Sequence, residues 1–329
     1  MRREFLMKNI MNTSIRLLLI ILIPLLFSCA TTQQKQVESK DAGFYNNRGV
    51  AYFAKGQYDQ AISDFNKAIE INPSYVEAYD NRGCTYVAKG QYDHAISDFN
   101  RVLEINPRFA TAYSNRGTAY MNKGQYDQAI SDHTKSLEIS PQSAGAYYGR
   151  GMAYEKKGKY DQAILNFDKA LEIDPSDTKA YKIRAKTYVM KDQHDQAISD
   201  YNKALEIDPR DGEAYLLRGF TYMVKGQWDQ AMSDCKKFLE INPRSFSAYH
   251  CRGRAYMGKG QFDQAVSDFN KALEINPKFA FAYYNRGRSY YYKKEYDKSW
   301  EDIKKAQDLG WRIPPEFLDE LRKASGREK

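Results

Sequence analysis

The chain has 329 residues, enough for two ordinary domains or one long array, and 42% of them are hydrophobic, so a buried core is within reach. Tyrosine is heavy at 27 residues, which points to many half-buried rings with a polar tip. The formal charge of +8 is a mild excess, part of it in Arg2, Arg3, Lys8 and Arg16 and most of the rest at fixed repeated places, which argues against a nucleic-acid-binding protein.

The first predicted element is an address. Basic residues end at Arg16, and Leu17 to Phe27 is an apolar stretch too short to span a bilayer comfortably and broken by Pro24. Residues 1–28 therefore read as a secretory signal, not as part of the fold. The run Leu26-Phe27-Ser28-Cys29 resembles the bacterial lipobox, with Leu three places before the cysteine, a small residue just before it, and Phe27 a looser match. The resemblance implies that Cys29 becomes the first mature residue and carries lipids, several chains anchoring stably where one is marginal. An ordinary signal peptide with an incidental cysteine is the plainer alternative. Ala30 follows the cysteine, and in Gram-negative lipoproteins a residue other than Asp there implies the outer membrane. Residues 29–41 read as a polar tether. The expected location is the bacterial cell envelope, lipid-anchored, at the outer membrane facing the periplasm if the source is Gram-negative.

From residue 42 onward the chain repeats. Pro73, Pro107, Pro141, Pro175, Pro209, Pro243 and Pro277 are spaced by 34 every time, and a fixed period of this size overrides any globular-domain reading. Each unit predicts two helices. In the unit ending at Pro107, Tyr79, Gly83 and Tyr86 form one helical stripe and Lys89-Gly90 closes that helix. Asp93 is placed to cap the next helix, and Ala95, Phe99 and Val102 form its inward stripe up to Asn106-Pro107. Recurring Gly and Ala on facing helices let the two backbones come close, and no single pair has enough core to stand alone, so the units must stack.

These landmarks resemble the tetratricopeptide repeat. Eight units run 42–75, 76–109, 110–143, 144–177, 178–211, 212–245, 246–279 and 280–313. Departures are few: Ala185 replaces the Gly in the fifth, His133 and Cys235 stand at the second-helix aromatic place, and the last unit ends in Gly310-Trp311. Residues 314–329 then put Phe317, Leu318 and Leu321 on one side of a capping helix. The resemblance implies an all-α fold, a right-handed superhelical solenoid of eight helix hairpins with a concave groove.

All eight units carry an Arg in the first helix, and seven carry an Asp sixteen residues later, Asn166 standing in the fourth. Arg48 with Asp64, Arg82 with Asp98, and Arg218 with Asp234 are examples, expected as structural ion pairs that fix the register of each hairpin. What repeats identically serves stacking; ligand choice belongs to places that vary. The neighbouring first-helix stripe does vary, and the resemblance places it on the concave face. Candidate groove residues are Lys179, Lys182, Lys186, Leu216, Phe220, Met223, His250, Arg254, Met257, Tyr284, Arg288 and Tyr291. Their basic and apolar mix suits a protein or peptide partner with acidic groups beside apolar anchors. The Lys and Asn pattern of chaperone-tail clamps is missing, with Val50, Cys84, Thr118 and Lys186 where the Asn belongs.

Cys84, Cys235 and Cys251 have no metal-ligand spacing, and although Cys235 and Cys251 fall in adjacent helices, buried thiols are the expected state. No Gly-rich phosphate loop, His-paired nucleophile or carboxylate pair outside repeat phase appears, so neither an enzyme, a metal site nor a cofactor is expected. The resulting expectation is a membrane-tethered adaptor or scaffold that binds a protein or peptide, similar in architecture to repeat-bearing envelope lipoproteins of the NlpI type. A structural subunit of an envelope assembly or secretion complex and a polysaccharide-export accessory protein are the rivals, and homodimerisation stays open.

Overall fold

The computed structural model describes residues 41–327, so the signal segment, Cys29 and nearly all of the tether lie outside the described residues. Within them all regular structure is helical, and the chain forms two compact bodies that part between Arg108 and Phe109. The first body pairs α1 (Ala42–Ala54) with α2 (Tyr58–Ile71) and α3 (Val76–Ala88) with α4 (Tyr92–Ile105). In the second, the pairs are α5 (Ala110–Asn122) and α6 (Tyr126–Ile139), α7 (Ala144–Lys156) and α8 (Tyr160–Ile173), α9 (Thr178–Met190) and α10 (His194–Ile207). They continue with α11 (Gly212–Val224) and α12 (Trp228–Ile241), α13 (Phe246–Gly258) and α14 (Phe262–Ile275), α15 (Ala280–Tyr292) and α16 (Tyr296–Asp308), and end on α17 (Pro315–Ser325). No helix among the described residues is long and apolar enough to cross a membrane.

The turn inside six of the eight hairpins is set by a glycine. Gly90 has φ +73°, its N–H donates to the Val87 carbonyl at 2.9 Å, and the Gln91 N–H donates to the Tyr86 carbonyl at 2.8 Å. These bonds satisfy the last carbonyls of α3, and only a residue without Cβ adopts that backbone at no steric penalty. Asp192 and Lys294 hold the same left-handed conformation without being glycine. Asp93 is not the cap of α4: the cap position is Gln91, which makes no side-chain hydrogen bond, and Asp93 lies inside the first turn. Its counterparts in other repeats serve a different contact, described below.

Six of the eight hairpins are closed by a ring on the second helix, pressed toward the first. A Cβ on Gly49 would stand 2.6 Å from the Phe65 ring, so the first helix can approach only because that position has no side chain. The same second-helix place holds Phe99, His133, Phe167, Tyr201, Cys235, Phe269 and Ile303, all buried. Where the residue is phenylalanine, its burial contributes roughly 2–3 kcal/mol. At the C-terminal end α17 covers the last hairpin. Phe317 and Leu321 are buried there with Tyr284, Ile303, Ala306 and Ile313, and Leu318 packs beside them.

Cys235 and Cys251 correct the expectation of separate thiols. They form a disulfide with a Cα–Cα separation of 5.8 Å. It joins α12 of the sixth repeat to α13 of the seventh. The reason is local packing: the small Cys235 side chain stands where most other repeats have a ring, and Met223, Met232, Ala231 and Ala255 close around the two sulfurs. Sequence separation within one hairpin says nothing of this contact, which runs between hairpins.

Candidate functional site

The arginines sit mid-way along each first helix and turn toward the second. Arg48 donates from Nε and Nη2 to the two carboxylate oxygens of Asp64, at 2.5 and 2.7 Å. Arg82 meets Asp98 at 2.8 and 2.6 Å, and Arg218 meets Asp234 at 2.8 and 2.6 Å, in the same two-pronged fashion. Arg116, Arg184, Arg252 and Arg286 repeat it on Asp132, Asp200, Asp268 and Asp302. In the fourth repeat Arg150 Nε donates to the Asn166 Oδ1 at 2.8 Å instead.

Two features of this ladder are not carried by the sixteen-residue spacing alone. The remaining nitrogen of many of these arginines reaches back to the preceding hairpin: Arg82 to Asn66 at 2.6 Å, Arg150 to Thr134 at 3.1 Å, Arg184 to Asp168 at 2.6 Å, Arg218 to Asn202 at 2.5 Å and Arg286 to Asn270 at 2.6 Å. The guanidinium also lies on the ring of the tyrosine three residues earlier, as for Arg82 on Tyr79 at 5.4 Å. The arginine therefore closes its own hairpin and sews it to its neighbour. Burial pushes the carboxyls of Asp98, Asp200, Asp234 and Asp302 up, against the pull of their arginines, so each pair forms at a desolvation penalty.

A second ladder also links successive repeats. In six repeats the Asp in the first turn of the second helix receives the Lys that caps the next first helix: Lys89 on Asp59 at 2.5 Å, Lys259 on Asp229 at 2.5 Å, Lys293 on Asp263 at 2.7 Å, and likewise Lys157, Lys191 and Lys225 on Asp127, Asp161 and Asp195. These aspartates are strongly exposed, so each rung contributes little by itself. The outer face of the second helices is occupied by pairs within one turn, such as Lys203 with Glu206 and Lys237 with Glu240, both at 2.7 Å. That face says the same thing in successive repeats and is satisfied by its own charges.

The first-helix face differs from repeat to repeat, and the structure divides the candidate groove residues into three groups. Met223, His250 and Tyr284 are buried and do not line a groove. Met223 packs into the cluster around the disulfide, and Tyr284 is covered by Trp311 and Phe317. His250 is enclosed by the rings of Phe269, Phe279 and Phe281, with Asn285 Nδ2 at 3.0 Å from its Nε2. Burial holds its pKa down to about 3, so the ring is neutral in the folded chain. A second group is charged but already engaged. Lys182 meets Asp211 and Glu213, both at 2.8 Å, and Lys186 meets Glu213 at 3.0 Å. Lys179 is exposed and borders a cleft with Lys182, Lys186 and Tyr148.

The third group lines open clefts. Phe220, with Val189, Met190, Leu217 and Val224, walls an apolar cleft of about 350 Å³ between α9 and α11, with Glu155 and Lys186 at its rim. Leu216 lies half-buried nearer the core. Arg254, Met257 and Arg288 line a cleft of about 440 Å³ with Trp228, Phe262 and Tyr292. Tyr291 is half-buried against Tyr296 and Phe317. Trp228, Met190 and Val224 were not singled out by the variable stripe, because they stand at the end of the first helix and the start of the second. A signal for Trp228 exists in Gly258: the indole occupies the space where a Cβ there would fall, at 2.3 Å. Among the described residues no group of three His, Cys, Asp or Glu is placed to hold a metal ion.

Residues 42–75, 65–96, 144–177, 213–245 and 235–267 match families described as tetratricopeptide repeat, and residues 83–124, 117–158, 185–226 and 253–294 match one described as TPR repeat. No curated protein matches the chain. Among solved structures it is similar to a tetratricopeptide repeat protein from Parabacteroides merdae ATCC 43184, at 21% identity and a TM-score of 0.57, over 76% of this chain and 98% of that one. The APC/C hetero-tetramer Cut9-Hcn1 is similar at 16% identity and a TM-score of 0.56, over 88% of this chain and 57% of that one. YrrB, described as a TPR protein with an unusual peptide-binding site, is 27% identical with a TM-score of 0.49, over 56% of this chain and 95% of that one. The chain belongs to the tetratricopeptide repeat family, whose members generally mediate protein–protein interactions.

Proposed function

We propose that this protein is a non-catalytic adaptor, tethered to a bacterial envelope membrane through lipid on Cys29, that binds partner proteins on the first-helix face. One observation carries the binding half of this reading. The positions that repeat are consumed internally, by the arginine ladder, the lysine ladder and the paired second-helix surface. The positions that vary line open clefts on the first helices, with Trp228 and Phe262 at the start of second helices completing one of them. A surface that differs at each repeat, on a frame that does not, is suited to reading an extended partner. The Cys235–Cys251 bridge supports the envelope half, since such bonds persist in oxidising compartments and are rare in the cytosol.

The test has two arms. Cys29→Ser should abolish fatty-acid labelling and release the chain from membranes, and retention of both would remove the tether. A photo-crosslinking amino acid placed at Met190 or Met257 should capture protein in the envelope, whereas the same group at Lys203 on the outer second-helix face should not. Several substoichiometric captured proteins fit an adaptor. One stoichiometric partner would make the chain a complex subunit, and polysaccharide without protein would make it an export accessory.

A further inference from the structure

Arginine is used in two ways in this chain. In the ladder, both edges of the guanidinium are spent: Arg184 gives Nε and Nη2 to Asp200 and Nη1 to Asp168. Arg254 on α13 and Arg288 on α15 meet no carboxylate among the described residues. They are held by ring faces instead. The Arg254 guanidinium lies between Phe220 of α11 at 5.5 Å and Phe281 of α15 at 5.7 Å. Arg288 lies over Tyr284 at 5.7 Å and Phe317 at 6.0 Å.

Stacking uses the flat face of a guanidinium. The N–H donors point outward in its plane, and a ring above or below cannot accept from them. Arg254 therefore keeps its edges unspent, and Arg288, which gives one hydrogen bond to the Tyr284 hydroxyl, keeps its remaining donors. They share one cleft of about 440 Å³, and they act on each other as like charges. Burial already pulls the Arg254 guanidinium below its ordinary value, and Arg288 pushes it the same way. The acid on this side, Glu320 of α17, acts on Tyr284 and Tyr291 but makes no ion pair with either arginine. An anion seated between the two would relieve desolvation and repulsion together.

The walls select the kind of anion. Phe262 and Tyr292 stack at 5.0 Å beside the arginines, and Trp228 and Met257 complete the surround. Phe220, which carries Arg254, also walls the apolar cleft between α9 and α11. A carboxylate with aromatic or aliphatic neighbours fits this sequence of surfaces, whereas an acidic polysaccharide has no apolar side chains to place there. We propose that the Arg254–Arg288 cleft is a carboxylate subsite that receives an Asp or Glu side chain of an extended partner peptide flanked by apolar residues. The proposal rests on the protein-binding reading above. The basic patch of Lys182 and Lys186 has no such role, since Asp211 and Glu213 already fill it.

The test uses the full chain and three fluorescein-labelled peptide pools that are degenerate at apolar positions, with Glu, Gln or Lys fixed at alternate places. Anisotropy should show the Glu pool binding about tenfold tighter than the Gln pool, the size of one charge-assisted hydrogen-bond pair. Arg254→Gln with Arg288→Gln should reduce that ratio below about twofold, leaving the Gln pool unchanged, while Lys182→Gln with Lys186→Gln keeps it. Met257→Glu, which places an acid beside Arg254 without removing either stacked side chain, should also abolish the preference. Equal binding of the Glu and Gln pools, or a preference that survives both variants, overturns the subsite while leaving the array a peptide binder. Binding of no pool overturns the protein-binding reading with it. Displacement of the Glu pool by alginate oligomers at equal carboxylate concentration overturns the choice of peptide.

Discussion

The joint between the fourth and fifth repeats and the joint between the sixth and seventh hold equivalent helices together with different chemistry. At the first, Phe167 is buried against Gly151 of its own hairpin, and Arg184 bonds both Asp200 in its own hairpin and Asp168 in the preceding one. At the second, Cys235 stands where Phe167 would be, and Lys236 stands where Asp168 would be. Arg252 therefore keeps only Asp268, and the connection between hairpins passes to the Cys235–Cys251 bridge. Each repeat touches mainly its neighbours, so a joint is solved locally and one solution need not be copied along the array.

The largest effect should come from stranding a buried carboxylate. Arg184→Leu leaves Asp200 buried without its partner and Asp168 with less, and a melt should show a loss of roughly 3–5 kcal/mol. Arg184→Leu with Asp200→Leu should recover most of it, because two apolar groups need no desolvation. Additive losses in the double variant would sink the ion-pair account. Arg252→Leu should be milder by about 1 kcal/mol, the worth of the reach-back bond that joint does not have.

The second test acts on the other joint. Cys235→Ser with Cys251→Ser opens a covalent loop of sixteen residues. The expected loss is about 3 kcal/mol by the chain-entropy account. Hydrogen exchange should rise in α11–α14 and not in α7–α10. Uniform loosening of all the hairpins would contradict the local reading.

A third joint extends the comparison to pH. His133 takes the ring place between the third and fourth repeats, over Gly149, and is buried with Nε2 lacking a hydrogen bond. Burial, helped by Arg150, lowers its pKa to about 4 from an ordinary 6.5. The unfolded chain thus takes up the proton first. Stability from the neutral ring is fully present above about pH 6.5 and is lost as pH falls toward 4, by roughly 2–3 kcal/mol. His133→Phe should remove that portion of the slope, with the portion from His250 remaining. Identical pH profiles for the two chains would refute the assignment.

What was legible in the sequence follows from repetition. The period, the paired helices and the Arg and Asp of each hairpin are written many times, and their geometry is fixed within 34 residues. The contacts between hairpins are not. Asp93 reads as a cap because it stands one turn into the helix, and its counterparts show their role only against a lysine thirty residues on. Cys235 and Cys251 meet because a ring is absent between them, which depends on the whole packing of two repeats. Met223, His250 and Tyr284 share a stripe with Arg254 and Arg288, but neighbouring rings and α17 close over the first three. Residue type at Arg254 and Arg288 is plain in the sequence; the lack of a carboxylate beside them is not.

The smallest effect offers the sharpest check on the comparison, because it converts one joint toward the other. Lys236 occupies the place from which Asn202 and Asn270 accept an arginine in the neighbouring joints. Lys236→Asn should let Arg252 Nη1 donate backward as Arg218 and Arg286 do, adding about 1 kcal/mol. With the disulfide intact the gain should be partly masked, since the hairpins are already held. In the Cys235→Ser, Cys251→Ser chain it should appear in full, so the two changes should couple rather than add. Strict additivity would mean that the bridge and the arginine do not restrain the same motion. In that case the sixth and seventh repeats would lack a substitute for the arginine reach-back, and the bridge would serve something other than the joint.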